Sequence, residues 1–144
     1  MKTLISVVGP TAIGKTRLAI ALAQHFKTEI VSADSRQFFK EMNIGTAVPS
    51  PEELASAKHH FIQHRSILEP YSVGDFERDA IQLLDSLFQK LDIIILVGGS
   101  GLYVDAVTKG LDNFPKVDAS IRAELNVEFE ANGIIALQEK LKSL

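Results

Sequence analysis

The stretch TLISVVGPTAIGKT, residues 3–16, decides the fold of this chain. Residues 3–8 form an apolar run that Gly9 and Pro10 end, which predicts a short buried strand. Residues 9–16 match the pattern GxxxxGK[ST] in full. Apolar residues then recur at helical spacing up to Phe26, so a strand, a glycine loop and a helix follow one another. This order is the structural context that a phosphate-binding loop requires.

The residues of this loop have the chemistry needed to hold a polyphosphate. Glycines let backbone N–H groups turn toward phosphate oxygens, Lys15 adds a positive charge, and Thr16 offers a hydroxyl to Mg²⁺. The N-terminus of the following helix adds a partial positive charge. Such a loop does not name the reaction, because ATPases, GTPases, small-molecule kinases and pyrophosphate-releasing transferases all use one. We predict a diphosphate or nucleotide site formed by Gly9, Pro10, Thr11, Ala12, Ile13, Gly14, Lys15 and Thr16.

The rest of the chain alternates between strand and helix patterns. Further strands are predicted at residues 29–33 and 93–97, and residues 61–68 are an ambiguous candidate. This alternation predicts an α/β fold like that of P-loop NTPases, a doubly wound, mostly parallel sheet with helices on both faces. Ligands of such sheets bind beyond the C-terminal ends of the strands. The other helices are predicted to begin at serine caps (Ser50 and Ser72), after Gly101, at an Asp118 cap and after Gly133.

Composition limits the classes of protein that this chain can represent. Its 144 residues, 46% of them hydrophobic, suffice for one domain with a core but not for two ordinary ones. The formal net charge of -3 argues against a free-standing nucleic-acid binder, which needs a basic excess. The absence of cysteine excludes disulfides and thiol catalysis. No run approaches the roughly 18 apolar residues of a membrane span, so we expect a cytoplasmic protein without a membrane partner.

The position of the acidic residues is informative. P-loop enzymes that transfer phosphoryl groups often carry an acid at the end of a central strand, but here the strand at residues 93–97 runs into Gly98, Gly99 and Ser100. Asp92 lies at the strand's entrance, where capping or solvation is the expected role. Asp34, in the word DSRQ, follows the second strand and lies at the ligand-binding edge. From strand order alone, Asp34 could bind Mg²⁺, accept a proton from a nucleophile or cap a turn.

Several further words are spread in order over the chain. They are ADSRQ at residues 33–37, IGTAVP at 44–49, YSVGDF at 71–76, LVGGSGLY at 96–103, and a DxxxRxxL pattern from Asp118 to Leu125. Together with GPTAIGKT, they make the chain resemble the N-terminal portion of the tRNA dimethylallyltransferase (isopentenylpyrophosphate transferase) family. The sequence departs from the usual family pattern at Phe39 (tyrosine), Val48 (lysine) and Ser100 (threonine).

The resemblance implies transfer of a dimethylallyl group from dimethylallyl diphosphate to the exocyclic N6 of the adenosine 3′ of the anticodon in tRNA. Pyrophosphate would leave, with Mg²⁺ as the cofactor and Thr16 as its protein ligand. Asp34 would be the catalytic base. Contacts with the tRNA anticodon stem-loop are implied for Asp34, Ser35, Arg36, Gln37, Ser100 and Arg122.

Family members are about twice as long as this chain, so the resemblance also implies a fragment. We expect residues 1–144 to be the P-loop catalytic core, to lack the C-terminal half and most of the tRNA-binding insert, and to be poorly active alone. We also expect a monomer.

Three other functions stay open on the sequence. They are a small-molecule or nucleotide kinase, an adenylate prenyltransferase, and a non-catalytic nucleotide-binding module. Among the histidines, we expect structural or capping roles for His59 and His60, and surface positions for His25 and His64.

Overall fold

The computed structural model describes residues 1–112, 115 and 117–144, and these divide into two compact units, Met1–Leu111 and Asp112–Leu144. The first unit contains the strands β1 (Thr3–Val8), β2 (Ile30–Ser32), β3 (His59–His60) and β4 (Ile93–Gly98). Its helices are α1 (Lys15–Phe26), α2 (Pro51–Ser56), α3 (Val73–Phe88) and α4 (Gly101–Thr108), with a 3₁₀ turn at Ser35–Phe38. The second unit contains α5 (Ala119–Lys142).

The four strands form one parallel sheet in the order β1-β4-β2-β3. Val8 pairs with Gly98, and Ser32 pairs with Val97, so the strand ends lie side by side. The apolar residues of β4 alternate between two clusters: Ile94 and Leu96 face one, and Ile95 and Val97 face the other. A strand buried on both faces needs such a continuous apolar run. The predicted doubly wound parallel sheet is therefore confirmed.

Helices cover both faces of this sheet. On one face, fully buried Ala19 and Ala23 of α1 pack against Ile30 and Ile95, since small side chains let the helix approach the strands closely. On the other face, α3 and α4 pack together over a cluster that includes Phe76. Because α1 follows β1 and α4 follows β4 on opposite faces, a crevice opens between these neighbouring strands at their C-terminal edge.

Local sequence signals set two helix starts, as predicted. Ser50 caps α2 in a reciprocal capping box with Glu53, and Pro51 occupies the first helical turn. Ser72 caps α3 in the same way with Asp75. Each box satisfies backbone N–H groups that the first turn of a helix leaves unpaired.

Two sequence-based expectations are wrong. Residues 61–68 do not form a strand, and the short β3 precedes them, because Phe61 and Gln63 adopt left-handed conformations (φ 61° and 48°). His64 is not a surface residue: its ring packs edge-on against Phe38, Phe61 and Tyr71. The apolar residues of this segment thus join an aromatic cluster rather than a strand.

The second unit, considered by itself, consists of two helical segments. Asp118 Oδ1 accepts a hydrogen bond from the Ser120 backbone N–H (2.9 Å), which confirms the predicted cap. Gly133 interrupts α5 with non-helical angles (φ 73°, ψ -175°), so a second segment follows it as predicted. No helix among the described residues is long and apolar enough to cross a membrane.

Candidate functional site

The glycine loop joins β1 directly to α1. Gly9 (φ 154°), Ala12 (φ 66°) and Gly14 (φ 95°) all have positive φ, and the two glycines adopt these angles without the strain of a side chain. Gly14 is the residue that precedes α1, and no side chain caps this helix start. The first N–H groups of α1 are therefore left without a side-chain partner at a helix end that favours anions.

Lys15 bends back over this loop. Its Nζ donates a hydrogen bond to the Pro10 carbonyl oxygen at 2.7 Å. A methyl group built on Gly99, in the loop after β4, would lie 3.6 Å from the same Nζ. The ammonium group therefore lies between the loop that precedes α1 and the loop that follows β4.

Asp34 uses its two carboxylate oxygens differently. Oδ1 accepts a hydrogen bond from the Arg36 backbone N–H (3.2 Å) and so caps the 3₁₀ turn. Oδ2 lies 4.0 Å from the position of a methyl group on Gly99. Asp34 and Lys15 thus both lie within 4.0 Å of the position of that methyl group. The carboxylate caps a turn and also presents an oxygen to this space.

A cavity of about 340 Å³ lies beside these residues. The ends of β2 and β4 contribute to its walls, residues 47–49 supply another side, and the loop contributes Thr11, Ala12, Gly14, Lys15 and Thr16. Residues of the predicted phosphate-binding loop and the predicted catalytic base, Asp34, therefore line the same cavity. Its other lining side chains include Gln37, Glu53, His59 and Ile62.

The residues predicted to contact tRNA occupy three kinds of position. Ser35 and Ser100 lie together, with their hydroxyl oxygens 3.3 Å apart and the Ser35 N–H donating to Ser100 Oγ at 3.4 Å. Arg36 is exposed. Arg122 is also exposed, but it lies on α5 in the second unit. These contacts with RNA stay predictions.

Gln37 differs from its neighbours because it is buried, with 8% of its surface exposed. Its Nε2 donates hydrogen bonds to the carbonyl oxygens of Thr46 (3.2 Å) and Ala47 (2.7 Å). Its Oε1 accepts one from Ser32 Oγ (3.3 Å). The side chain therefore links the end of β2 to the segment that forms another wall of the cavity. Sequence reasoning missed this role, although the words DSRQ and IGTAVP already contained both partners.

The histidine pair makes local contacts. His59 Nδ1 lies 2.8 Å from the Ala57 carbonyl oxygen, its buried Nε2 has no hydrogen-bond partner among the described residues, and burial lowers the pKa of its imidazole. His60 Nε2 lies 2.6 Å from Glu29 Oε2. Burial alone would raise the pKa of Glu29, but hydrogen bonds with His60 and Lys58 hold it below its usual value. In the described part of the chain, no three histidine or acidic residues are grouped as metal ligands.

A second polar cluster was also missed. Asp79 Oδ2 accepts hydrogen bonds from Tyr71 Oη (2.9 Å) and Arg65 Nη2 (3.0 Å). Burial, together with the Asp79 carboxylate, raises the pKa of Tyr71 above its ordinary value. This cluster lies beside the aromatic residues around Phe38 and does not line the cavity of the phosphate loop.

A parallel doubly wound sheet with a GxxxxGK[ST] loop after β1, and an acid that follows β2 near that loop, defines a P-loop α/β protein. The sequence model described as IPP transferase matches residues 37–144, so the chain belongs to the IPP transferase family. The resemblance drawn from the sequence words is confirmed.

Curated relatives agree with this assignment. The chain is 66% identical over 144 residues to the tRNA dimethylallyltransferase of Flavobacterium johnsoniae, covering 100% of the chain and 47% of that protein. It is 64% identical over 138 residues to the tRNA dimethylallyltransferase of Christiangramia forsetii, covering 96% of the chain and 46% of that protein. The chain thus spans about half the length of the curated relatives it matches.

Two solved structures are similar to this chain in fold and in sequence. A full-length tRNA isopentenylpyrophosphate transferase from Bacillus halodurans matches with a TM-score of 0.75 and 36% identity, over 99% of this chain and 48% of that one. A eukaryotic dimethylallyltransferase acting on tRNA matches with a TM-score of 0.73 and 27% identity, over 83% of this chain and 31% of that one. The fold class inferred from the sequence is confirmed by these likenesses.

Proposed function

We propose that the full-length protein transfers a dimethylallyl group from dimethylallyl diphosphate to the N6 atom of the adenosine 3′ of the anticodon in tRNA. The observation that carries this proposal is the proximity of Lys15 Nζ and Asp34 Oδ2. Both atoms lie within 4.0 Å of the position that a methyl group on Gly99 would occupy, beside the phosphate loop. The names of the relatives support the same reaction.

The phosphate loop would hold the leaving group. Its backbone N–H groups and the uncapped start of α1 favour an anion, and residues 9–16 contribute no carboxylate that would repel one. Lys15 Nζ would give up its hydrogen bond to the Pro10 carbonyl oxygen and donate to diphosphate oxygens instead. As the C–O bond breaks, negative charge grows on the departing pyrophosphate, and donors fixed in advance stabilise this charge.

The donor set fits Mg²⁺ held mainly by the substrate. Thr16 and Asp34 line the same cavity, and these two residues supply a hydroxyl and a carboxylate to it. Magnesium at phosphate sites commonly takes one or two protein ligands and completes its shell with phosphate oxygens and water. When bound, the ion would neutralise charge on the diphosphate, with Thr16 as the proposed ligand.

Asp34 would accept the proton of the incoming amine. The N6 lone pair forms a bond to C1 of the prenyl group, and the electron pair of the C–O bond leaves with pyrophosphate. A carboxylate is far too weak a base to deprotonate a neutral aromatic amine beforehand. It can take the N–H proton as the new bond makes the nitrogen acidic, and such assistance is worth about 10²–10⁴ in rate.

The tRNA anticodon stem-loop is the proposed partner, and its target adenine must leave the base stack to reach the cavity. Asp34, Ser35, Arg36, Gln37, Ser100 and Arg122 stay the proposed tRNA-binding positions. We place the catalytic core in residues 1–144 and the activity in a cytoplasmic, monomeric full-length protein.

The test uses the full-length protein, tRNA and dimethylallyl diphosphate, with mass spectrometry of the anticodon-loop nucleosides. The wild type should produce prenylated adenosine, and Asp34→Asn should lower the transfer rate by about 10²–10⁴ while pyrophosphate binding survives. Asp92→Asn is the matched control, because this exposed acid pairs with Lys2 at the opposite edge of the sheet and should leave transfer unchanged.

A wild type that hydrolyses ATP but transfers no prenyl group would overturn the proposal in favour of a kinase. Prenylation of free adenylate but not of tRNA would favour an adenylate prenyltransferase.

A further inference from the structure

We propose that the prenyl transfer requires glycine at residue 99, because its missing side chain keeps open the space in which the donor carbon and the amine meet. This inference rests on the proposed function. In this proposal, Gly99 contributes space for the substrates rather than a functional group.

Three segments converge on the position that a side chain at Gly99 would occupy. A methyl group there would lie 3.6 Å from the Gly9 carbonyl oxygen, 3.6 Å from Lys15 Nζ and 4.0 Å from Asp34 Oδ2. These atoms come from the start of the phosphate loop, the start of α1 and the end of β2. The methyl group would therefore lie within 4.0 Å of both the cation proposed to hold the leaving group and the carboxylate proposed to take the proton.

The folded protein itself has room for this methyl group. All three distances are ordinary van der Waals separations, and Gly99 is not among the glycines with positive φ. An alanine at residue 99 therefore needs neither a strained backbone nor a shift of its neighbours. The requirement for glycine comes from the substrates and not from folding.

The neighbouring residue, Gly98, must be glycine for a different reason, which is backbone packing. A methyl group on Gly98 would lie 2.7 Å from the Ala33 carbonyl oxygen and 2.9 Å from the Ala33 carbonyl carbon. These are backbone atoms of the segment that leads into Asp34, so Gly98 is needed for strand packing. A methyl group on Gly101, in contrast, has nothing within 4 Å.

The reaction needs the space at Gly99 because reacting atoms must approach to about 3–3.5 Å in line with the leaving group. A methyl group this close to Lys15 and Asp34 would take up volume in which the proposed reaction brings the prenyl C1 and the adenine N6 together. Misplacement by about 1 Å can cost on the order of 10²-fold in rate. Anion binding by residues 9–16 does not use this volume in the same way, so pyrophosphate affinity should survive.

The experiment compares Gly98→Ala, Gly99→Ala and Gly101→Ala in the full-length protein by thermal unfolding, pyrophosphate affinity and steady-state transfer to an anticodon stem-loop. We expect Gly99→Ala to unfold near the wild-type temperature and to bind pyrophosphate within about threefold, but to lose about 10²-fold in kcat. Gly101→Ala should match the wild type in all three measurements. Gly98→Ala should unfold at a clearly lower temperature because of its backbone clash.

Transfer by Gly99→Ala at the wild-type rate would overturn the inference, and so would a loss of stability or pyrophosphate affinity that accounts for its loss of transfer. A wild type that transfers no prenyl group would instead overturn the proposed function, which makes the two failures distinguishable.

Discussion

Replacing Gln37 by glutamate tests whether this buried side chain, which belongs to the proposed tRNA-binding segment, also stabilises the cavity wall. The substitution preserves size and shape and exchanges the NH₂ group for an oxygen. That oxygen would face the Thr46 and Ala47 carbonyl oxygens, which now accept hydrogen bonds of 3.2 and 2.7 Å. Two attractive contacts thus become repulsive ones in a site where Gln37 is 8% and Thr46 4% exposed.

The expected cost follows from these two contacts. Each lost hydrogen bond is worth roughly 1 kcal/mol net, and a buried acceptor left unpaired costs about 1–3 kcal/mol. Thr46 is buried whereas Ala47 is exposed, so we count the desolvation cost fully only for the Thr46 carbonyl. About 1–3 kcal/mol for the Thr46 contact and about 1 kcal/mol for the Ala47 contact predict that Gln37→Glu loses about 2–4 kcal/mol of unfolding free energy at neutral pH.

Urea denaturation of the wild type and the variant measures this difference. An equal slope of unfolding free energy against urea concentration checks that the unfolded state is unchanged. Arg36→Gln is the matched control, since its exposed side chain is not part of the buried network and stability should change by less than about 0.5 kcal/mol. Wild-type stability of Gln37→Glu, combined with weaker binding of the anticodon stem-loop, would refute the bracing role and show that the side chain faces the RNA.

Two further predictions concern stability. Burial first, and Arg65 second, lower the pKa of His64, so its contribution to stability is present above pH 6.5 and is lost as pH falls through the folded-state pKa. His64→Phe should therefore flatten the acid side of a stability–pH curve, and an unchanged slope would contradict the buried position of the ring. Ser72→Ala removes the cap of α3 and should cost about 1 kcal/mol in urea denaturation, whereas Ser72→Asn should retain most of the stability.

The parts of the fold that the sequence predicted are those set by local chemistry. The apolar run of β1, the glycine loop and the helical spacing of α1 are contiguous, so their order could be inferred without knowing any distant contact. The caps at Ser50 and Ser72 depend on residues three positions apart. Asp34 could be assigned to the ligand-binding edge because parallel strands end at the same edge.

The parts that could not be predicted depend on which loops meet in space. Ser35 and Ser100 are 65 positions apart, and their contact follows from the pairing of β2 with β4. The burial of Gln37 depends on the path of residues 44–47 back to β2. His64 was misplaced because a histidine in a polar-looking segment gives no signal that an aromatic cluster will enclose it.

The close packing of β2 against β4 places Asp34 near the phosphate loop, and this placement bears on whether the protein is a transferase or a kinase. In P-loop enzymes that move phosphoryl groups, the acid often follows a central strand and helps to hold Mg²⁺. Here the central strand β4 ends in glycines, and the missing side chain of Gly98 lets Ala33 approach so that Asp34 arrives from the neighbouring strand. The carboxylate then caps its own turn through one oxygen and keeps the other directed at the space beside Lys15. In the proposed reaction, an acid in this place would face the attacking amine as well as a metal ion at the phosphates. The exchange of an acid on β4 for glycines, with an acid supplied by β2, is therefore what favours a transferase that releases pyrophosphate over a kinase.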